Sequence, residues 1–339
     1  MKKKPKIIET VLVAAVVMLA AGIAAAVDDA EDPGPVPRKW AGAFSGLRPD
    51  PRPEALTRDT HYFVSDELRH DVFMEPLTRN KGGVFVGLGT DQNYLMAGWC
   101  RPDVVIPLDF DQMIVDLHYV FRVIFLKAAD NEEFLDMWSE DHEKEIRSLI
   151  RSAYPDKGFS RNVLRAYKRG RRFVERRLKR VKRSYARRGV KTYLDDRQQY
   201  LFVVSLFKNN RVFPVRGDLT ASKTVKDLAK AAKNLGMTIR TLYLSNAEQY
   251  FKFRQQYREN MLALPFDDKS IVLRTAGTGD EDSVDGRYEY IVQSGKNFQA
   301  WIQYPKTFNL WTLVRASRKN RETGLSVIDS LPPEPEKKK

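Results

Sequence analysis

The stretch KGGVFVGLGTDQNYLMAGWCRPDVVIPLDFD, Lys81 to Asp111, decides the fold of this 339-residue chain. Residues 84–86 are apolar without a polar break, which predicts a strand buried on both faces. Gly87 and Gly89 follow at once, and Asp91 stands where it can cap a helix running to about residue 99. Arg101-Pro102 ends that helix. Residues 104–108 read as a second buried strand, closed by Asp109, 22 positions after Gly87. Glycines where a backbone must come close, then a carboxylate for ribose hydroxyls at the next strand end, form the layout of a nucleotide-type cofactor site.

The same rhythm continues downstream. Residues 111–129 form an expected helix, apolar on most faces and therefore largely buried. A strand at 212–215 ends in Arg216-Gly217-Asp218. A helix at 222–235 opens with Ser222 and closes at Gly236. A strand at 238–244 ends in Ser245-Asn246, and a helix at 247–264 leads to a strand at 270–274. After an acidic, glycine-rich loop, residues 288–293 and 300–303 read as a terminal antiparallel pair. Strands separated by helices predict an α/β fold, a mostly parallel sheet with helices on both faces.

Charge is concentrated in one segment. Residues 161–191 hold fifteen Lys or Arg and one acid, Glu175, while the remainder is neutral. This segment ends a helical insertion at residues 132–191. Its apolar residues keep one narrow stripe on a helix, and almost every other position is basic. Arg171, Arg172, Arg176, Arg177, Lys179 and Arg180 could grip an anionic membrane surface or polymer. The alternative is a solvated helix docked by its stripe. Cys100 is the single cysteine, which excludes an intramolecular disulfide framework and a Cys-rich zinc site. His61, His70, His118 and His142 lack metal-ligand spacing, so no metal is expected.

At the N-terminus, MKKKPK precedes an unbroken apolar run at residues 11–27, and Ala24-Ala25-Ala26 offers small residues for cleavage. Residues 1–27 thus read as a signal peptide or a signal anchor. Either places the rest outside the cytoplasm, in a periplasmic space or held on the inner membrane by residues 7–27. Residues 28–58 are rich in Pro and charge and read as an extended linker. The α/β domain covers 59–330, and 331–339 is a disordered tail.

The expected site gathers polar residues at the strand ends. Asp109 suits ribose hydroxyls and Asp218 an adenine amino group. Asn246, with Glu248 nearby, could face a donor amino-acid moiety or an acceptor, and both are candidate catalysts of group transfer. Each could equally be a helix cap.

The strings GLGTDQNY, RPDVVIPLDFD, FPVRGDL, TLYLSNAEQYF and LPFDDKSIVLRT resemble an uncharacterised bacterial family with a class-I methyltransferase-like Rossmann fold. The resemblance covers about residues 61–303, apart from the basic insertion. It implies that fold, with its final antiparallel strand pair, but no activity. By analogy, Gly87, Gly89, Asp91, Gln92, Asn93, Asp109, Asp218, Ser245, Asn246, Glu248 and Tyr250 would line a small-molecule pocket. S-adenosylmethionine is the ligand such a sheet suggests. Two departures stand out: Gln92 replaces a third glycine, and Val84 and Phe85 stand where an acid usually precedes the glycines. An exported chain would also lack this cytosolic donor.

Overall fold

The computed structural model describes residues 32–53 and 60–334. The expected signal or anchor and residues 335–339 of the tail lie outside the described residues. In chain order the first elements are α1 (Arg38–Ser45), α2 (Met74–Thr78), β1 (Val84–Leu88), α3 (Gln92–Cys100), β2 (Val104–Asp109) and α4 (Gln112–Lys127). A helical excursion follows, comprising α5 (Asn131–Asp136), α6 (Glu143–Ala153), α7 (Lys157–Ala186) and α8 (Arg197–Lys208). The chain then forms β3 (Val215–Arg216), α9 (Thr224–Asn234), β4 (Ile239–Tyr243), α10 (Gln255–Ala263) and β5 (Ile271–Gly277). It finishes with β6 (Tyr288–Ser294), α11 (Gly295–Gln303), α12 (Leu310–Ala316) and β7 (Leu325–Ile328).

The strands make one sheet in the order β3-β2-β1-β4-β5-β6-β7. β1 to β5 are parallel, β6 runs antiparallel to β5, and β7 lies parallel to β6. The chain steps outward from β1 to β3 and then crosses back to β4. The strand order therefore reverses between β1 and β4, where open α/β sheets bind ligands. The fold is α/β and Rossmann-like, with an apolar core on each face of the sheet.

Sequence explains the central layer. β1 is buried along its whole length, as a middle strand of a covered parallel sheet must be. All nine residues of α3 are buried, so this helix is wrapped on every side rather than amphipathic. It ends at Arg101, which takes a left-handed conformation (φ 45°).

Several expectations need correction. The strand expected at 212–215 shrinks to β3 and an isolated bridge from Val212 to Val105. Pro214 and Pro107 lack the N–H groups a longer ladder needs. The helix expected at 247–264 is split into a 3-10 turn (Ala247–Tyr250) and α10. Between them Phe251 is extended (φ −145°), and Phe251, Phe253 and Tyr257 pack ring to ring. Residues 300–303 are not a strand but the end of α11, which buries Phe298, Trp301 and Ile302 at helical spacing. The antiparallel pair is instead β5 with β6. α8 had no counterpart in the sequence reading.

The stretch expected as an extended linker is, in its described part, docked onto the domain. α1 and the turn after it bury Phe44 and Leu47. Asp50 is fully buried, and its carboxylate accepts the backbone N–H of Lys223 at 3.0 Å and of Asp218 at 3.1 Å. Asp50 thus serves the first turn of α9, where Ser222 was expected as cap and no local side chain caps. Among the described residues, no helix is long and apolar enough to cross a membrane.

Candidate functional site

The crevice at the β1/β4 reversal is roofed by the chain itself, through residues 60–73. Glu67 is its anchor, buried with its carboxylate over the ends of β4 and β5. That carboxylate accepts hydrogen bonds from Tyr243 Oη at 2.9 Å, Ser245 Oγ at 2.7 Å and Thr275 Oγ1 at 2.5 Å. His70 Nε2 lies 3.2 Å away. Burial opposes charge there, but hydrogen bonds from His70, Ser65 and Thr275 hold Glu67 below the ordinary carboxylate range. Ser245 adopts a left-handed backbone (φ 50°), a strained conformation at a strand end. Further along the roof, Tyr290 Oη accepts the Leu68 and Arg69 amides, and Thr90 Oγ1 donates to the Phe63 carbonyl.

The glycine turn is closed from within. Gly89 has φ +82°, and a Cβ there would stand 2.1 Å from Gln92 Nε2. Gln92 clasps the turn, accepting Thr90 N–H at 3.1 Å and donating to the Leu88 carbonyl at 3.1 Å. Asn93 donates to the Gly89 carbonyl at 2.9 Å, and its Oδ1 would lie 2.0 Å from a Cβ on Gly87. His118 Nε2 donates to the same carbonyl at 2.9 Å, so its Nδ1 accepts from Tyr94 Oη at 2.5 Å. Burial lowers His118 to about 4, keeping it neutral. Gln92 and Asn93 therefore pack directly against the two glycines, with Asn93 Oδ1 left without a hydrogen-bond partner.

The other expected site residues are dispersed. Asp91 stands at the N-cap of α3, but its side chain caps no amide and instead forms a buried ion pair with Arg177 at 3.1 Å. Asp109 takes the Asp111 amide at 2.9 Å, and burial pushes its carboxyl up to about 7. Asp218 is half-buried and accepts both N–H and Oγ1 of Thr220 at 2.7 Å. Glu248 is sealed, paired with Arg274 at 2.6 Å and hydrogen-bonded by Tyr257, so it is closed to any substrate. Tyr250 is exposed on a separate cavity of about 610 Å³ with Lys252, Arg254 and Trp311.

Asn246 leads to the most site-like cavity. Its Nδ2 lies 3.3 Å from Tyr288 Oη, which donates to Asp66 at 2.8 Å; Arg287 pairs with the same carboxylate at 2.8 Å. Asp66 and Arg287 line a cavity of about 430 Å³ between the roof, α7 and the loop at 285–287. Arg176, Arg177 and Arg180 of α7 face it, with Phe173, Val64 and Leu68 as apolar wall. Arg177 is 5% exposed, and its Nη2 has no hydrogen-bond partner. Arg176 and Arg180 have no carboxylate partner among the described residues. Four guanidiniums thus meet three carboxylates, Asp66, Asp285 and the Asp91 that pairs with Arg177, beside a half-exposed aromatic ring.

Sequence reasoning had not singled out Glu67, Asp66 or Arg287. No motif marks them. Among the described residues, no group of His, Cys, Asp and Glu is arranged to hold a metal.

No curated protein matches this chain. A family model does match it over residues 62–329, four-fifths of its length, so the chain belongs to the family described as a domain of unknown function, DUF7790.

Proposed function

We propose that this protein binds a small anionic ligand with a planar or apolar part, in the arginine-lined cavity on the carboxyl-end side of the sheet. The methyltransferase-like sheet then acts as a scaffold, and the binding position moves away from the glycine turn. A nucleotide-like or acidic amino-acid-like molecule has the required chemistry. Its anionic group would meet Arg177, Arg176 and Arg180, and its flat part would lie against Phe173. Under the export or anchoring expected from residues 7–27, such a ligand would be met outside the cytoplasm. The reading assigns no reaction: Glu248 is sealed, and Asn246 reaches the cavity only through Tyr288 and Asp66.

The observation that carries the reading is that Arg176 and Arg180 line this cavity with no carboxylate partner among the described residues. Two guanidiniums without a counter-charge leave a local positive excess, and an anionic ligand would neutralise it through charge-assisted hydrogen bonds. Calorimetry of the full chain with AMP, adenosine and S-adenosylmethionine tests it. AMP should bind and adenosine should bind weakly, because adenosine lacks the anion. Arg180→Ala should weaken AMP by about tenfold or more, the worth of one charge-assisted hydrogen bond. S-adenosylmethionine binding that is indifferent to Arg180 but sensitive to Gln92→Ala would return the site to the glycine turn and overturn the proposal.

A further inference from the structure

The basic helix α7 divides its charge between two opposite faces, and only one is available to a partner. Arg171 and Arg177 point inward: Arg171 donates to the Trp138 carbonyl at 3.2 Å, and Arg177 pairs with Asp91. Arg172 and Lys179 are paired with Glu140 and Glu175. The unspent charge therefore lies largely outside the six bases first singled out. Arg161, Arg165, Lys168, Arg169, Arg183 and Arg187 are exposed and have no carboxylate partner among the described residues. At 3.6 residues per turn, all the outward bases from Arg161 to Arg187 fall within an arc of about 120°, along a straight ridge of about 39 Å. The buried residues Val163, Ala166, Gly170, Val174, Leu178 and Val181 occupy the opposite arc and belong to the core.

From this ridge we infer that α7 is the face by which the protein lies on an anionic lipid bilayer, adsorbed rather than inserted. An arc of that width is what a flat surface touches along a helix. The apolar stripe is committed to the core, so the helix cannot roll its greasy face into the acyl region as an interfacial helix does. Attraction then comes from the bases, each contributing about fivefold in affinity near an anionic surface. One exposed aromatic borders the ridge, and a second is its stacking partner's neighbour in the chain. Phe173 is 48% exposed and stacks on Phe63, and its neighbour Tyr62 is 65% exposed. Such rings suit the headgroup level of a bilayer. The apolar run at residues 11–27 favours lipid over nucleic acid as the surface this chain meets. Its test uses ridge residues outside the arginine-lined cavity, so its failure is distinguishable from a failure of the ligand-binding reading.

The test is lysine acetylation of the full chain, read by mass spectrometry, in phosphatidylcholine vesicles with or without phosphatidylglycerol. Lys168 and Lys179 report on the ridge, and Lys230 and Lys296, on helices covering the other face of the sheet, serve as internal references. Because the comparison is between lysines of one molecule, recruitment by the N-terminal segment alone would not single out the ridge lysines over the references. Anionic vesicles should slow labelling of Lys168 and Lys179 by about threefold or more, leaving the references unchanged. High salt should reverse the protection. The combined variant Arg161→Glu, Arg165→Glu, Arg169→Glu and Arg183→Glu should abolish it. A milder Arg165→Gln, Arg183→Gln variant should give an intermediate loss, with both variants melting like the parent. Equal labelling in the two vesicles, protection spread evenly to Lys230 and Lys296, or protection by duplex DNA but not by anionic vesicles would each overturn the inference.

Discussion

Replacing Glu67 by Ala should be among the most damaging single changes in this protein. The carboxylate collects hydrogen bonds from Tyr243, Ser245, Thr275 and Ser65, with His70 Nε2 3.2 Å away. A buried donor left without its acceptor costs about 1–3 kcal/mol. These donors share one acceptor and act as a unit, and water entering the gap would serve some of them. The expected net loss is about 3–4 kcal/mol, a drop in melting temperature of roughly 6–10 °C for a domain of this size. Glu67→Gln keeps the volume and one acceptor and should fall between. Acid provides a second readout. In the unfolded chain Glu67 titrates at about 4.3, whereas in the fold its carboxyl is held lower. The unfolded state therefore takes up the proton first. The stability this group supplies is complete above pH of about 4.3 and drains away as pH falls below it. Urea unfolding from pH 7 to pH 3 should show the parent and Glu67→Gln converging at the acid end. A Glu67→Ala melt within about 1 °C of the parent, or a Gln gap unchanged across that range, would refute the reasoning.

Three further outcomes are expected. Arg177→Met should destabilise by about 3–5 kcal/mol in urea unfolding because it strands the buried Asp91 carboxylate, and adding Asp91→Leu should recover most of that loss. Gly89→Ala should cost more than about 1 kcal/mol, because φ is +82° and the new Cβ would collide with the Gln92 clasp; a thermal melt reads it. Asp109, raised to about 7 by burial, holds its proton in the fold over a range where the unfolded chain has lost it. Its contribution thus weakens as pH rises from about 4 through 7, and Asp109→Asn should be more stable than the parent at pH 8 and flatter between.

Much of the fold was legible because it is written in local apolar runs. Residues 84–86 and 104–108 could only be inner strands, and the alternation with helices required a parallel sheet. The misreadings have long-range causes. Residues 300–303 look strand-like until Ser294 is seen to cap a helix through the Asn297 amide. Residues 247–264 carry helix formers, but three aromatic rings and the pull of Arg274 on Glu248 break them into two pieces. The site was less legible than the fold. Gly87, Gly89, Gln92 and Asn93 form the motif a cofactor would use, yet here the two amide side chains close onto the glycines. Spacing alone cannot distinguish a glycine that admits a ligand from one that admits a neighbouring amide. The basic run was visible by composition, but its split into an inward pair and an outward ridge needed the partners on α3 and the helical excursion.

The docking of Asp50 beneath α9 has a consequence for where this domain physically starts. The recognised family region begins at residue 62, yet the first turn of α9 takes its acceptor from a residue more than 170 positions upstream. Phe44 and Leu47 fill the same face of the sheet. A protein begun at the sequence boundary would therefore have an uncapped helix and a dent in one core, although every recognised residue was present. During folding, that layer cannot be completed until two distant parts of the chain meet, and the entropy of closing so long a loop is lost before its contacts repay it. The leading segment is a piece of the core rather than a tether to it.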